Sequence, residues 1–143
     1  AACDLAVAAD DSRFATSGLN VGLFCSTPSV PVSRNLGRKQ AMELLLTGHF
    51  IDAHTALQWG LVNRVVPASR LDQEVAELAG SIMSKSWVAV ATGKRMFYKQ
   101  LELPLESAYD YASGVMAGNM MADDVEEGVD AFMQKRTPVW KHQ

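Results

Sequence analysis

The stretch MELLLTGHFIDAHTALQWGLVNRVVP, Met42 to Pro67, alternates helix and strand signals within a short span. Ala41, Leu44 and Leu45 share one face of a helix predicted over Arg38 to Leu46, which Gly48 stops. Phe50-Ile51 is a short extended piece, and Asp52 supplies a side chain suited to cap a helix over Ala53 to Trp59. Gly60 falls where a helix needs a left-handed residue to end. Leu61 to Val66 then reads as a strand, closed by Pro67. Helix and strand intermixed at this density give a mixed α/β (α+β) class.

Toward the N-terminus, Cys3 to Ala9 is an apolar run of strand length, of the kind buried on both faces of a sheet. Asp10-Asp11-Ser12 is a turn, Arg13 to Thr16 a second short strand with Phe14 directed into a core, and Ser17 to Gly22 a loop or distorted strand. Ser26-Thr27-Pro28 has the composition of a helix entry, with a hydroxyl cap and proline in the first turn. That helix runs to about Leu36 and breaks at Gly37. An apolar opening strand needs neighbours for its backbone groups, and few candidates follow. The expectation is therefore a piece of a larger protein, or a strand edge covered by another chain.

Beyond residue 70 no strand pattern is found. Leu71, Val75, Leu78, Ala79 and Ile82 recur at helical spacing, as do Leu105, Ala108, Ala112, Val115 and Met116. A helix over Val88 to Leu101 lies between them, and Val125, Val129, Phe132 and Met133 mark a last one. The chain thus divides at about residue 70 into a mixed part, 1–70, and a helical part, 71–143.

The formal net charge of −3 leaves no basic stripe to neutralise phosphates, which excludes a nucleic-acid binder. No apolar run has the length of a membrane span. Cys3 and Cys25 are too few for a disulfide framework and point to a reduced, intracellular setting, with the cytoplasm placed ahead of the mitochondrial matrix.

The loop Phe14 to Pro28 joins a strand to a helix, where sites are commonly built, yet it lacks ionisable groups other than Cys25. Ser26, His49 and Asp52 suggest a hydrolase triad, but no G-x-S-x-G turn surrounds Ser26 and Asp52 is committed to a cap. His49, His54 and His142 have no ligand spacing, so no metal is expected. Cys25 reads as a packed small hydrophobe. Asp123-Asp124 and Glu126-Glu127 open the last helix, where the dipole favours negative charge and solvent takes the remainder. Lys135-Arg136 would form the basic end of that helix, where the dipole alone accounts for cations; alternatively Lys135, one turn beyond Phe132 on the same face, makes with it a dock for a phosphorylated adenine nucleotide.

CDLAVAADDSRFATSGLNVGL, the opening stretch Met42 to Pro67, and ADDVEEGVDAFMQKRTPVW resemble three consecutive segments of the crotonase (enoyl-CoA hydratase/isomerase) superfamily, in its C-terminal half. The similarity is greatest to its hydratase-domain-containing branch. It implies the last part of a repeated ββα spiral in residues 1–70 and a helical trimerisation region in 71–143. It also implies an acyl-CoA thioester as substrate or ligand, no other cofactor, the lyase or isomerase chemistry of fatty acid metabolism, and a homo-oligomer, trimer or hexamer.

The same resemblance locates the chemistry. Family members stabilise a thioester enolate with two backbone N–H donors, both of which would precede Ala1. One of two hydratase glutamates would also precede Ala1; the other corresponds to Gly18, and an acid of the dienoyl isomerases corresponds to Ser26. Glycine has no side chain to transfer a proton or hold a water, so no catalytic residue is assigned and standard hydration is not expected of this chain. Leu23, Phe24 and Pro28 match residues lining the acyl end of the pocket. Phe132 and Lys135 match residues near the adenine and 3′-phosphate of coenzyme A. The competing expectation is a non-catalytic assembly or interaction protein that retains the oligomerising helices.

Overall fold

The computed structural model describes residues 1–141; His142 lies outside them. They divide into two compact units, one from Ala1 to Glu77 and one from Leu78 onward, the division falling within a single helix.

In the first unit, β1 (Val7–Ala9) pairs in parallel with β4 (Arg64–Val66), Val7 opposite Arg64 and Ala9 opposite Val66. β2 (Arg13–Phe14) pairs antiparallel with β3 (Ile51–Asp52). Between them lie α1 (Ser26–Asn35), α2 (Arg38–Thr47) and α3 (Ala53–Trp59). The expected caps are present on α3: Asp52 accepts the Thr55 amide at 2.7 Å, and Gly60 has φ 85°. Gly48 ends α2 in the same left-handed conformation, φ 63°. The predicted face Ala41, Leu44, Leu45 packs with Val32 and Leu36, while Ala8, Ala53, Ala56 and Val62 form a second buried cluster.

Both long predicted strands are shorter than expected. Cys3 is exposed in a bend, and the ladder begins only where a partner exists, with the Asn63 amide on the Ala6 carbonyl. At the other strand, the Leu61 amide is spent closing α3 onto the Ala56 carbonyl at 2.8 Å, so pairing starts at Arg64. Ser17–Val21 is a short 3-10 helix rather than a distorted strand, tied down by the buried Thr16 hydroxyl donating to the Leu44 carbonyl at 2.8 Å. The helix entry at Ser26 also differs. Cys25 occupies the cap position, no side chain caps α1, and the Ser26 hydroxyl turns back to the Phe24 carbonyl at 3.4 Å. Pro28 sits in the first turn, where its missing N–H has no intrahelical acceptor to lose.

From Leu71 the described residues are helical: α4 (Leu71–Met83), α5 (Trp87–Gln100), α6 (Leu105–Asn119) and α7 (Asp123–Met133). Within the second unit α5 packs on α6. Ser86 caps α5 by accepting the Ala89 amide, and its hydroxyl donates to Asp124. Asp124 is only 3% exposed and also accepts the Lys141 amide at 2.7 Å. Trp140 completes the attachment, its indole N–H on the Ser84 carbonyl at 2.8 Å and its ring over Gly128. The acidic start of α7 is thus not simply solvated: Asp124 is a buried acceptor that ties α7 to the start of α5 and to the tail.

Asp124→Ala is expected to lower unfolding free energy by about 2–3 kcal/mol in urea denaturation, since a buried hydroxyl and an amide lose their acceptor. The exposed neighbour Asp123, ion-paired loosely to Lys141 at 3.6 Å, should cost less than about 0.5 kcal/mol when replaced by alanine.

Candidate functional site

The loop after β2 is built around Gly18. Its N–H donates to the Cys25 thiol at 3.3 Å, its carbonyl accepts the Leu23 amide at 2.9 Å, and the Gly22 amide returns to Leu19 at 3.0 Å. Gly22 makes the reversal with φ 78°. A Cβ on Gly18 would stand 2.5 Å from the Leu23 carbonyl oxygen and 2.8 Å from the Cys25 sulfur. The backbone oxygen cannot yield as a flexible side chain could. Gly18 therefore lacks an acid and leaves no room for one in this loop conformation. Cys25 is half-buried against the Val32–Leu45 core, as a packed small residue should be.

Leu23 is 66% and Phe24 41% exposed, consecutive residues of this loop. Pro28 is exposed too, and lines a groove of about 520 Å³ with Phe14, Pro31, Val32 and Leu44. Leu23 and Phe24 are not among that groove's lining residues. No triad forms. Ser26 bonds a carbonyl, His49 and His54 are exposed, and the Asp52 carboxylate serves Thr55, whose backbone hydrogen bond holds it below the usual carboxylate range. Among the described residues no group of three His, Cys, Asp or Glu side chains converges as a metal site.

The second set of expected residues lies at the end of α7, in the other unit. The helix stops at Met133, so Lys135 is not one turn along the same face. It follows the helix in a left-handed conformation, φ 54°, the one positive φ among the described residues that are not glycine. The Lys135 amide bonds the Phe132 carbonyl at 3.2 Å and the Arg136 amide bonds Ala131 at 3.0 Å. This is the paired closure that usually places glycine where Lys135 stands. Phe132 is 82% exposed, and Lys135 is exposed three residues on.

Arg136 forks onto Glu127, Nη1 to Oε1 and Nη2 to Oε2, and Glu127 also accepts the Val139 amide at 2.7 Å. The Arg136 hydrogen bond, then that of Val139, lowers the Glu127 pKa from 4.5 to about 2. Two carboxylates three residues apart on α7, Asp124 and Glu127, thus hold the tail. Their spacing and the Lys-Arg pair after the helix were the available sequence signal; charge pattern alone read them as solvated.

These two regions and their scaffold are parts of a crotonase fold. The chain belongs to the enoyl-CoA hydratase/isomerase family, whose model matches residues 1–143. It is 51% identical to the rat protein named enoyl-CoA hydratase domain-containing protein 3, mitochondrial, over 99% of this chain and 47% of that one. A crystal structure of an enoyl-CoA hydratase from Mycobacterium smegmatis superposes with a TM-score of 0.94 at 55% identity, covering 96% of this chain and 54% of the other. The human enoyl-CoA hydratase domain-containing protein 3 superposes at 0.92 with 50% identity, covering 96% and 55%. The chain spans about half the length of the relatives it matches.

Gly18→Ala is expected to destabilise the chain by about 1–3 kcal/mol in thermal denaturation, because the added carbon meets backbone. A second outcome follows from Glu127. Its folded pKa is lowered, so its contribution is complete above pH 4.5 and is lost as pH falls through about 2. The melting-temperature gap between wild type and Glu127→Gln should accordingly close between pH 5 and 2.

Proposed function

We propose that this chain is the coenzyme A-binding C-terminal half of an enoyl-CoA hydratase/isomerase-family protein whose ligand is an acyl-CoA thioester. The observation that carries the reading is Lys135. A non-glycine residue in the left-handed region costs about 1–2 kcal/mol, and here that residue is an exposed lysine three residues after an exposed phenylalanine, its amide bonded to the Phe132 carbonyl. Such a pair suits an adenine ring with an attached phosphate. Pro28, on its groove, lines the acyl end, Leu23 and Phe24 add exposed apolar surface from the preceding loop, and the protein works as a trimer or hexamer in which helical ends from neighbouring subunits complete the nucleotide site. No further cofactor is needed, because the family's chemistry rests on backbone donors to the thioester oxygen.

Standard hydration is not the activity of this chain. Gly18 takes the position of a family glutamate, and the Leu23 carbonyl and Cys25 occupy the space an acid would need. Any catalysis in the complete protein rests on the oxyanion donors. The compartment is the mitochondrial matrix in an organism that has one, following the name of the mammalian relatives, and the cytoplasm otherwise.

The second reading, an assembly protein without a ligand, draws on the helical unit, where Leu105, Tyr109, Met116 and Met121 are exposed. Calorimetry separates the two. Saturable coenzyme A binding, weakened about fivefold by Lys135→Ala, supports the ligand reading; an oligomer in sedimentation with no saturable binding supports the other. Lys135→Gly should weaken binding equally while leaving stability unchanged or raised by up to about 1 kcal/mol, since the strain is relieved. Crotonyl-CoA turnover at the rate of an ordinary hydratase would overturn the assignment of Gly18.

A further inference from the structure

Lys135 keeps a disfavoured backbone conformation, and its neighbours on both sides are tied to one another. The Arg136 Nε donates to the Gln134 Oε1 at 2.8 Å, a bond that spans Lys135 itself. The other two nitrogens of the same guanidinium grip both oxygens of Glu127, nine residues back on α7. Glu127 is fixed in turn by the Val139 amide, so the chain after Arg136 is also held. Strained conformations persist where their surroundings over-determine them. Four attachments converge on three residues, and the Lys135 side chain forms no hydrogen bond or ion pair among the described residues.

We propose that Glu127, Arg136 and Gln134 are positioning residues that clamp the backbone around Lys135 and so aim its ammonium group at the ligand's phosphate. This rests on the coenzyme A reading above. A single Arg–Glu pair on an exposed helix end would fasten the tail and do nothing more. The bond from Arg136 across Lys135 to Gln134 is what extends the fastening to the lysine. Arginine is required because one planar fork must serve a carboxylate and an amide oxygen together, which an ammonium group cannot do with the same geometry. Without the clamp the tail samples other φ values at residue 135, and the ammonium group spends only part of its time where the phosphate binds.

The test compares coenzyme A with 3′-dephospho-coenzyme A on the full chain by calorimetry, reading the ratio of their dissociation constants. Wild type is expected to prefer the phosphorylated form about fivefold, and Lys135→Ala to bring the ratio to one. Glu127→Gln and Gln134→Ala should each reduce the preference to less than about twofold while the dephospho form binds as before. A residue with only a structural part would weaken both probes together. Gln134 is exposed, so its variant carries the test should Glu127→Gln fail to fold. A fivefold preference retained in the clamp variants, with Lys135→Ala still abolishing it, overturns the positioning role and leaves the coenzyme A reading intact. A wild-type ratio of one overturns that reading and the clamp's role with it.

Discussion

The parallel pairing of Val7–Ala9 with Arg64–Val66 is the constraint on which the first unit depends. Parallel strands cannot be joined by a tight turn, so the chain between them must travel away and return. That journey contains the Gly18 loop, α1, α2, the small antiparallel pair and α3, and each is packed because the two strand ends are fixed. Alanines at Ala8, Ala53 and Ala56 let α3 approach the sheet closely, and the Leu61 amide closes that helix just before the returning strand begins. The Gly18 loop inherits its shape from the same frame, held through Thr16 on the Leu44 carbonyl and through Cys25 against the Val32 cluster.

Within that frame Gly18 has two consequences that are not independent. It has no side chain to transfer a proton, and a carbonyl oxygen and a sulfur fill the space that a side chain would need. Once they are there, restoring a carboxylate requires moving backbone.

The helical unit shows how little a carboxylate's place in a charge run says about its work. Asp123, Asp124, Glu126 and Glu127 are two acidic pairs at one helix start, yet Asp124 is buried between Ser86 and the Lys141 amide, and Glu127 holds Arg136 and Val139. Helical geometry places residues 124 and 127 on one face, where the tail crosses. Their partners come from sequence positions that no local pattern connects to them.

Hydrophobic period, caps and breakers were enough to read α3 with both its ends, the stop of α2 at Gly48, and the all-helical second part, because those signals act within one or two turns. The family motifs were legible for a similar reason, being small and charged residues at short fixed offsets. Strand lengths were not readable, since an amide enters a ladder only when a distant partner faces it, as Cys3 and Leu61 show. Nor was the conformation of Lys135, which depends on where α7 stops and on a guanidinium that reaches back to Glu127. The amino-acid order settled the family, through short motifs at fixed offsets. Folding settled that Gly18 has no space for an acid and that Lys135 is held outside its helix, because both depend on atoms brought close by the folded backbone.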